Sequence, residues 1–258
     1  MTAKIPRAPQ QRGPRLFVEG LSSSVQGHLP HTLSLPKSDS HYVGNVLRLR
    51  AGDPLEIADR ASGEVFEARV AALHDLVTIE IKKVIGASVS GQRAVTLLFA
   101  LCKGSKNDLV CDWATELGCA HIIFWQAARS VVRLRDESDA LSKAERLSKI
   151  GRAAAQQSRQ SRPPAVSVVR SLSDAVAAVS PSEGSLNLVC SLSEKAHPIG
   201  DLLRSSDSPL VLVIGPEGDI SPEEEQVLAT AGFEFASLGP YVLRSELAAV
   251  AALMAARP

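Results

Sequence analysis

Short apolar runs separated by turn residues fill residues 15 to 85. One such run, Leu76–Val84, predicts a half-buried antiparallel strand, because Val77, Ile79 and Ile81 alternate with polar residues. Similar runs predict four more strands, at Arg15–Glu19, Leu29–Leu35, Pro54–Ala58 and Gly63–Val70. A short helix fits His41–Leu47. This pattern predicts a small β-barrel.

The next segment, residues 86–92, is small, polar and bounded by glycines, as linkers are. We therefore place a domain boundary there, with residues 1–88 in the first domain and residues 89–258 in the second.

After this segment the pattern changes to alternating strands and helices. Helix-start signals stand at Asn107, at the capping box Ser142–Glu145, at Ser221–Glu224 and at Ser245. Between them lie buried-strand runs, at Ala94–Leu101, His121–Trp125, Leu186–Cys190, Leu210–Ile214 and Phe235–Leu238. Such alternation predicts an α/β domain with a mainly parallel sheet.

Composition places the chain in the globular class and argues against several kinds of site. Its 258 residues are 45% hydrophobic and 22% charged, and no apolar run reaches the roughly 20 residues that span a bilayer. The start lacks a secretory signal, so we expect an intracellular protein with no membrane partner. The four cysteines lack Cys-x-x-Cys spacing, so we expect no metal site.

Charge is uneven along a chain whose formal net charge is zero. Residues 129–170 hold ten basic and four acidic side chains, which fits either phosphate binding or a solvated helix face. Four basic residues also precede the first acid, Glu19. That start fits an RNA-contacting arm, a remnant of an organelle-targeting segment or a disordered end.

The common cofactor motifs are absent: there is no Gly-x-Gly, no Gly-Lys-Ser/Thr, no Gly-x-Ser-x-Gly and no His-Glu-x-x-His. Two segments, Leu210–Asp219 and Leu238–Glu246, instead carry a buried strand into a Gly/Pro turn. Turns at the carboxyl ends of parallel strands are where open α/β sheets bind ligands. Each segment alone also fits an ordinary strand-to-helix turn.

Together, the two segments resemble the signature Ile-Gly-Pro-Glu-Gly-Gly and Leu-Gly-x-x-Ile-Leu-Arg-x-Glu-Thr-Ala of the RsmE family. These are 16S ribosomal RNA uracil-N3 methyltransferases of the SPOUT superfamily. Other segments match the family in order, namely Arg15–Phe17, His41–Asp53, Lys103–Lys106, Ala114–Gly118 and Arg129–Val132.

The resemblance implies a SPOUT-type α/β trefoil-knot methyltransferase domain, preceded by a PUA-like β-barrel that binds RNA. It also implies a homodimer acting on ribosomal RNA or the small ribosomal subunit. The cytoplasm is the default expected location, and the basic start of the chain leaves an organelle as the alternative. The cofactor would be S-adenosylmethionine, held by residues at the matching positions: Gly215, Glu217, Gly218, Leu238, Gly239 and Leu243.

Uracil N3 becomes nucleophilic only when its proton leaves, so the site needs a base or a cation that stabilises the uracil anion. Glu246 is the expected base, although a glutamate there also suits a helix N-terminus. Arg244 would hold the loop, and Arg129 would bind a phosphate or the uracil oxygens. Further RNA contacts are expected from Arg15, Arg48, Lys103, Gln157 and Arg162. Gln157 is expected on the inner edge of its helix, where a structural hydrogen bond is the alternative role.

The chain departs from the family pattern at several positions. Tyr241 stands where arginine is usual, Trp113 replaces a lysine, and Leu247 replaces a threonine. Asp219 replaces a glycine, and Arg159-Gln160 replaces Gly-Arg. Two alternatives therefore stay open: a methyltransferase with a different RNA target, and an RNA-binding ribosome-assembly factor that has lost catalysis.

Overall fold

The computed structural model describes residues 13–21, 29–86, 93–179 and 184–257. It divides the chain into an N-terminal unit, residues 1–90 with 156–162, and a C-terminal unit, residues 91–155 with 163–258. The boundary predicted between residues 88 and 89 lies outside the described residues. The assignment of residues 156–162 to the N-terminal unit was not predicted.

The N-terminal unit contains one mixed five-stranded sheet, in the order β1-β3-β4-β5-β2. β1 pairs with β3 in parallel, and the other neighbours are antiparallel. The strands are β1 (Arg15–Val18), β2 (His31–Ser34), β3 (Pro54–Asp59), β4 (Val65–Leu73) and β5 (Val77–Gly86). All five predicted strands are thus confirmed, with small shifts at their ends.

Alternating strand residues form the core of this unit. Ile57, Phe66, Ile79 and Ile81 are fully buried, as the period-two pattern predicts. The predicted helix at 41–47 is present in altered form: α1 (Lys37–His41) continues into a π-helix over Tyr42–Val46.

The C-terminal unit contains a sheet of seven parallel strands, in the order β10-β12-β9-β11-β6-β7-β8. The strands are β6 (Val95–Ala100), β7 (His121–Trp125), β8 (Ala165–Val169), β9 (Leu186–Cys190), β10 (His197–Pro198), β11 (Leu210–Ile214) and β12 (Glu234–Ser237). β6 and β11 are neighbours in the sheet. After β6 the chain continues to β7, toward one edge of the sheet, and after β11 it continues to β12, toward the other edge. The carboxyl ends of β6 and β11 form the kind of switch point at which α/β sheets bind ligands.

Helices cover both faces of this sheet. They are α2 (Lys106–Glu116), α3 (Glu137–Gln157), α4 (Leu172–Val179), α5 (Ile199–Arg204), α6 (Pro222–Thr230) and α7 (Ser245–Ala255). Leu97 and Phe99 of β6 join one buried cluster, while Leu98 joins the cluster on the opposite face. Burial on both faces explains the continuous apolar runs of the sequence. In the described parts of the chain, no helix combines the length and apolarity that a membrane span requires.

The predicted start of α3 at Ser142 is wrong. The helix begins at Glu137, because the side chain of Asp136 accepts a hydrogen bond from the backbone N–H of Asp139 at 2.8 Å. β8, α4, β10 and α5 were not predicted either; β8 and β10 are the edge strands of the sheet.

Candidate active site

A cavity of about 310 Å³ opens at the carboxyl ends of β9, β11 and β12 in the C-terminal unit. We call it the loop cavity. Two loops supply most of its lining: the first loop, residues 215–219, follows β11, and the second loop, residues 238–244, follows β12. Five of the six residues predicted to bind the cofactor line it, and so does Arg244; the five are Gly215, Glu217, Leu238, Gly239 and Leu243.

Close packing favours glycine at two positions of the first loop. A Cβ atom on Gly215 would lie 2.8 Å from Cγ1 of Ile220. At Gly218 it would lie 3.0 Å from the carbonyl oxygen of Arg129. Gly218, the sixth predicted cofactor residue, therefore holds the first loop against the chain that follows β7.

Arg129 fixes the same loop with its side chain. Its Nη1 lies 3.5 Å from the carbonyl oxygen of Gly218 and donates to that of Ile220 at 3.3 Å. The predicted contact of Arg129 with a phosphate or with uracil stays a prediction, since its observed contacts are with the first loop.

Lys106 links the two signature segments. Its ammonium group donates a hydrogen bond to Glu217 Oε1 at 2.8 Å, and it lies 3.2 Å from Glu246 Oε2. Lys106 begins α2, Glu217 lies in the first loop, and Glu246 lies in the first turn of α7. One cation thus holds two carboxylates, including the expected base, at the carboxyl edge of the sheet.

The charges of this cluster depend on each other. The hydrogen bond to Glu217 raises the pKa of Lys106, against the opposing effect of its burial. Burial is the largest single influence on Glu217, but hydrogen bonds from Lys106, from a backbone N–H and from the Cys102 thiol together hold the pKa of Glu217 below its ordinary value. Burial, followed by the nearby charge of Glu217, raises the pKa of Cys102 to about 12. At neutral pH the cluster therefore holds an ammonium, an ionised Glu217 and an uncharged thiol.

The chain matches the family of RNA methyltransferase domains over residues 90–257. It is 30% identical to ribosomal RNA small subunit methyltransferase E of Bacillus subtilis, over 93% of this chain and 94% of that protein. The chain belongs to the family of ribosomal RNA small subunit methyltransferase E proteins. The protein of the same name from Mycobacterium tuberculosis is 38% identical over 160 residues, and that alignment covers 62% of this chain and 61% of the relative.

Solved structures of family members share the fold. The ribosomal RNA small subunit methyltransferase E of Neisseria gonorrhoeae, bound to S-adenosyl methionine, matches with a TM-score of 0.81 at 28% identity, over 95% of this chain and 96% of that chain. A putative methyltransferase of Legionella pneumophila, in complex with the same cofactor, matches with a TM-score of 0.79 at 25% identity, over 94% of this chain and 96% of that chain.

Two departures from the family's glycines keep a backbone conformation that glycine adopts easily. Asp219 has φ +64° and Arg159 has φ +58°. Asp219 suits this conformation because its short side chain accepts a hydrogen bond from the backbone N–H of Ile220 at 2.8 Å. Both positions thus adopt the left-handed backbone conformation that favours glycine.

Tyr241, which stands where the family usually has arginine, lies at the rim of the loop cavity. Its side chain is 79% exposed, and the next residue, Val242, is 78% exposed. Arg244 is exposed as well, so a cationic side chain still faces solvent beside the cavity.

The C-terminal unit also contains one of the residues expected to contact RNA. Lys103 is exposed and lines a second cavity between α2 and α3. Gln157, by contrast, belongs to the N-terminal unit and is exposed, so its predicted place on the inner edge of the helix is wrong. The preceding residue, Gln156, takes the inner position, and it accepts a hydrogen bond from the hydroxyl of Tyr42.

The other three expected RNA contacts lie in the N-terminal unit as well. Arg15 is buried: its Nε donates to Glu56 at 3.0 Å, and its Nη1 donates to the backbone carbonyls of Arg159 and Gln160. This placement favours a structural role. Arg48 is exposed, with φ +54°, and Arg162 is exposed and donates to the carbonyl of Ala61. RNA binding by all three stays a prediction.

Lys106 is the functional candidate that sequence reasoning missed. The matched segment Lys103–Lys106 contains two lysines, and only Lys103 was selected. The ion pair joins residues 111 positions apart, so local spacing gives no signal for it. In the described ranges, no group of three His, Cys, Asp or Glu residues is placed to hold a metal ion.

Proposed function

We propose that the protein methylates N3 of a uracil in small-subunit ribosomal RNA, with S-adenosylmethionine as the methyl donor. The observation that carries this proposal is the cluster in which Lys106 holds Glu217 and Glu246 beside the loop cavity. Family membership supplies the reaction class. Relatives that are ribosomal RNA small subunit methyltransferases suggest the ribosomal target, and a related structure bound to S-adenosyl methionine suggests the cofactor.

The loop cavity fits this cofactor. Its volume, about 310 Å³, lies in the range of small-molecule sites, and its lining combines apolar side chains with backbone groups. At Gly239 a Cβ atom would meet nothing within 4 Å, so the backbone there stays open to a ligand. Leu238 and Leu243 would pack on the apolar parts of the cofactor, and the backbone at Gly215 and Gly239 would bind its polar groups.

The bound cofactor supplies an electrophilic methyl group. The protein must then remove or share the proton on uracil N3 and stabilise the charge that develops on the base. We assign the first role to Glu246, whose carboxylate is held by Lys106 at the end of α7 that faces the loops. We assign the second role to Arg244, which is exposed and lines the loop cavity. Arg129 keeps the first loop in place.

We further propose that the C-terminal unit forms the trefoil knot of the SPOUT superfamily and that the N-terminal unit is a PUA-like barrel. We also propose that the protein is a homodimer in the cytoplasm. Exposed apolar side chains of the C-terminal segment support the dimer, among them Tyr241, Val242 and Met254. Sedimentation equilibrium would test it, and a monomer at micromolar concentration would contradict it.

Methyl transfer from labelled S-adenosylmethionine to small ribosomal subunits that lack the modification tests the function. We expect 3-methyluridine in the nucleoside digest. Label on another nucleoside would move the target, and no label together with no cofactor binding by calorimetry would refute the proposal.

The variant Glu246→Ala tests the mechanism in the same assay. We expect turnover to fall by about 10²–10⁴-fold, the usual contribution of a general base. The Kd for S-adenosylmethionine should change far less. Unchanged turnover would remove Glu246 from the mechanism.

A further inference from the structure

The second cavity of the C-terminal unit is as large as the loop cavity, at about 320 Å³. We call it the basic cavity. The chain following β6 forms one wall, through Leu101, Cys102, Lys103, Gly104 and Asn107. The other walls come from Val132, after β7, and from Lys143, Arg146 and Leu147 of α3. It therefore lies at the same edge of the sheet as the loop cavity.

The lining of the basic cavity carries charge of one sign only. Lys103, Lys143 and Arg146 contribute three cations, and the lining contains no aspartate or glutamate. Two carboxylates pair with these cations. Lys143 forms a salt bridge with Asp139 at 3.0 Å, and both terminal nitrogens of Arg146 donate hydrogen bonds to Asp108, at 2.6 and 2.8 Å. Three cations against two carboxylates leave the site positive.

These ion pairs hold the cations in place without exhausting their donors. An ammonium group has three N–H donors, and a guanidinium group has five. Arg146 remains 54% exposed, and Lys103 is exposed at the mouth. Asn107 fixes the wall, since its side chain accepts a hydrogen bond from the backbone N–H of Cys102 and donates one to the Cys102 carbonyl. The geometry is that of a prepared site for an anion.

The basic cavity adjoins the loop cavity. Cys102 and Asn107 line the basic cavity, and Glu217 lines the loop cavity. Lys106, which holds Glu217, lies one residue before Asn107. Residues of the segment 102–107 thus connect the two cavities, because Lys106 binds Glu217 while its chain neighbours line the basic cavity.

We propose that the basic cavity binds a backbone phosphate of the RNA substrate and thereby positions the target nucleotide at the loop cavity. This rests on the proposed function, because it takes RNA to be the substrate. The proposed phosphate site also explains part of the basic stretch at 129–170, because Lys143 and Arg146 belong to that stretch. A phosphate contact gives affinity and register rather than sequence choice.

The test compares Lys103→Gln and Arg146→Gln with the matched control Lys149→Gln. Lys149 is exposed on the same helix α3 and is not part of the basic cavity. The Kd for small-subunit ribosomal RNA would be measured by fluorescence anisotropy at several salt concentrations. For each cavity variant we expect a Kd about 5–10-fold higher and a salt slope smaller by about one. The control should retain the wild-type Kd and slope within twofold.

Two further measurements complete the design. Calorimetry with S-adenosylmethionine should give wild-type affinity for all three variants, which shows that the loop cavity is intact. Calorimetry with inorganic phosphate tests whether the site serves a free anion. Phosphate binding that the cavity variants abolish, together with an unchanged RNA Kd, would overturn the proposal.

The remaining outcomes separate this proposal from the proposed function. Equal RNA affinity in wild type and cavity variants, with methyl transfer intact, would refute the phosphate site and leave the function standing. An equal loss of RNA affinity in Lys149→Gln would show that any basic residue on this surface contributes, and it would also refute the phosphate site. Failure of the wild-type protein to bind the RNA, together with no methyl transfer to small subunits and no cofactor binding, would overturn both.

Discussion

At the scale of single residues, Lys106 is the point where both signature segments meet. Its ammonium group contacts Glu217 of the first loop and Glu246 of α7. If it were removed, two carboxylates would face each other across a partly buried site without a cation between them. Two neighbouring carboxylates repel each other, and each disfavours the ionisation of the other.

We therefore expect Lys106→Met to lower kcat/KM for methyl transfer by about 10–100-fold, the range set by losing a hydrogen bond to a charged group. Lys106 lowers the pKa of Glu217, so this pKa should rise in the variant. The pH below which the affinity for S-adenosylmethionine falls should therefore be higher than in the wild type. Calorimetry from pH 4 to 8 would measure that shift.

The conservative variant Lys106→Arg should recover most of the activity, since it restores a cation. Lys149→Met is the matched control and should behave as wild type. An activity loss in Lys106→Met with an unmoved pH profile would mean that the lysine acts only as a structural residue.

Sequence reasoning found six of the residues that line the loop cavity, because the two signature segments mark them. It missed Lys106 because an ion pair between distant segments leaves no local pattern. It also could not foresee that Arg15 is buried against Glu56, and the RNA contact of this arginine stays a prediction. Local chemistry can be predicted from the sequence, but the partner of a long charged side chain depends on the fold.

At the scale of elements, α6 shows how a helix start stabilises the loop that precedes it. The Ser221 side chain accepts a hydrogen bond from Glu224 N–H, and Glu224 Oε2 accepts one from Ser221 N–H at 2.9 Å. The other oxygen of Glu224 accepts a hydrogen bond from Ala128 N–H at 2.7 Å. The capping box thus joins the end of the first loop to the chain after β7.

The variant Ser221→Ala should lower the free energy of unfolding by about 1 kcal/mol, the usual cost of losing an N-cap hydroxyl. Urea unfolding followed by circular dichroism would measure it. Ser142→Ala is the control: Ser142 is exposed inside α3, so its loss should change stability by less than about 0.5 kcal/mol. Equal losses in both variants would contradict the role of the cap.

The same comparison shows what local sequence signals predict. The capping box at Ser221 was correctly predicted because Pro222 follows it and favours the first helical position. The similar pattern at Ser142 was misleading, since Asp136 caps the helix one turn and a half earlier. β8 was missed because it is a sheet edge whose residues are mostly half-buried, so its apolar pattern is weak.

At the scale of the whole molecule, all four cysteines are free, and each has a pKa raised to about 12, chiefly by burial. They are Cys102, Cys111, Cys119 and Cys190. A raised pKa keeps the thiol protonated, so at pH 8 the reactive thiolate is on the order of one part in 10⁴.

We expect iodoacetamide at pH 8 to label the native protein at least 100-fold more slowly than a free thiol, by the dependence of reactivity on thiolate fraction. Intact-mass spectrometry would follow the reaction, with the urea-unfolded protein as the control that accepts four labels. Rapid labelling of the native protein would show that the packing opens on the time scale of the experiment.

The return of residues 156–162 to the N-terminal unit has a consequence for how such proteins can change during evolution. Arg159 forms a salt bridge with the buried Glu56. The backbone carbonyls of Arg159 and Gln160 accept hydrogen bonds from the side chain of Arg15. An exchange of residues 1–90 with a relative would bring in a foreign Arg15 and Glu56 but keep the old partner segment. The unit is therefore inherited as two pieces of sequence, and a single recombination event between relatives would separate groups that must match.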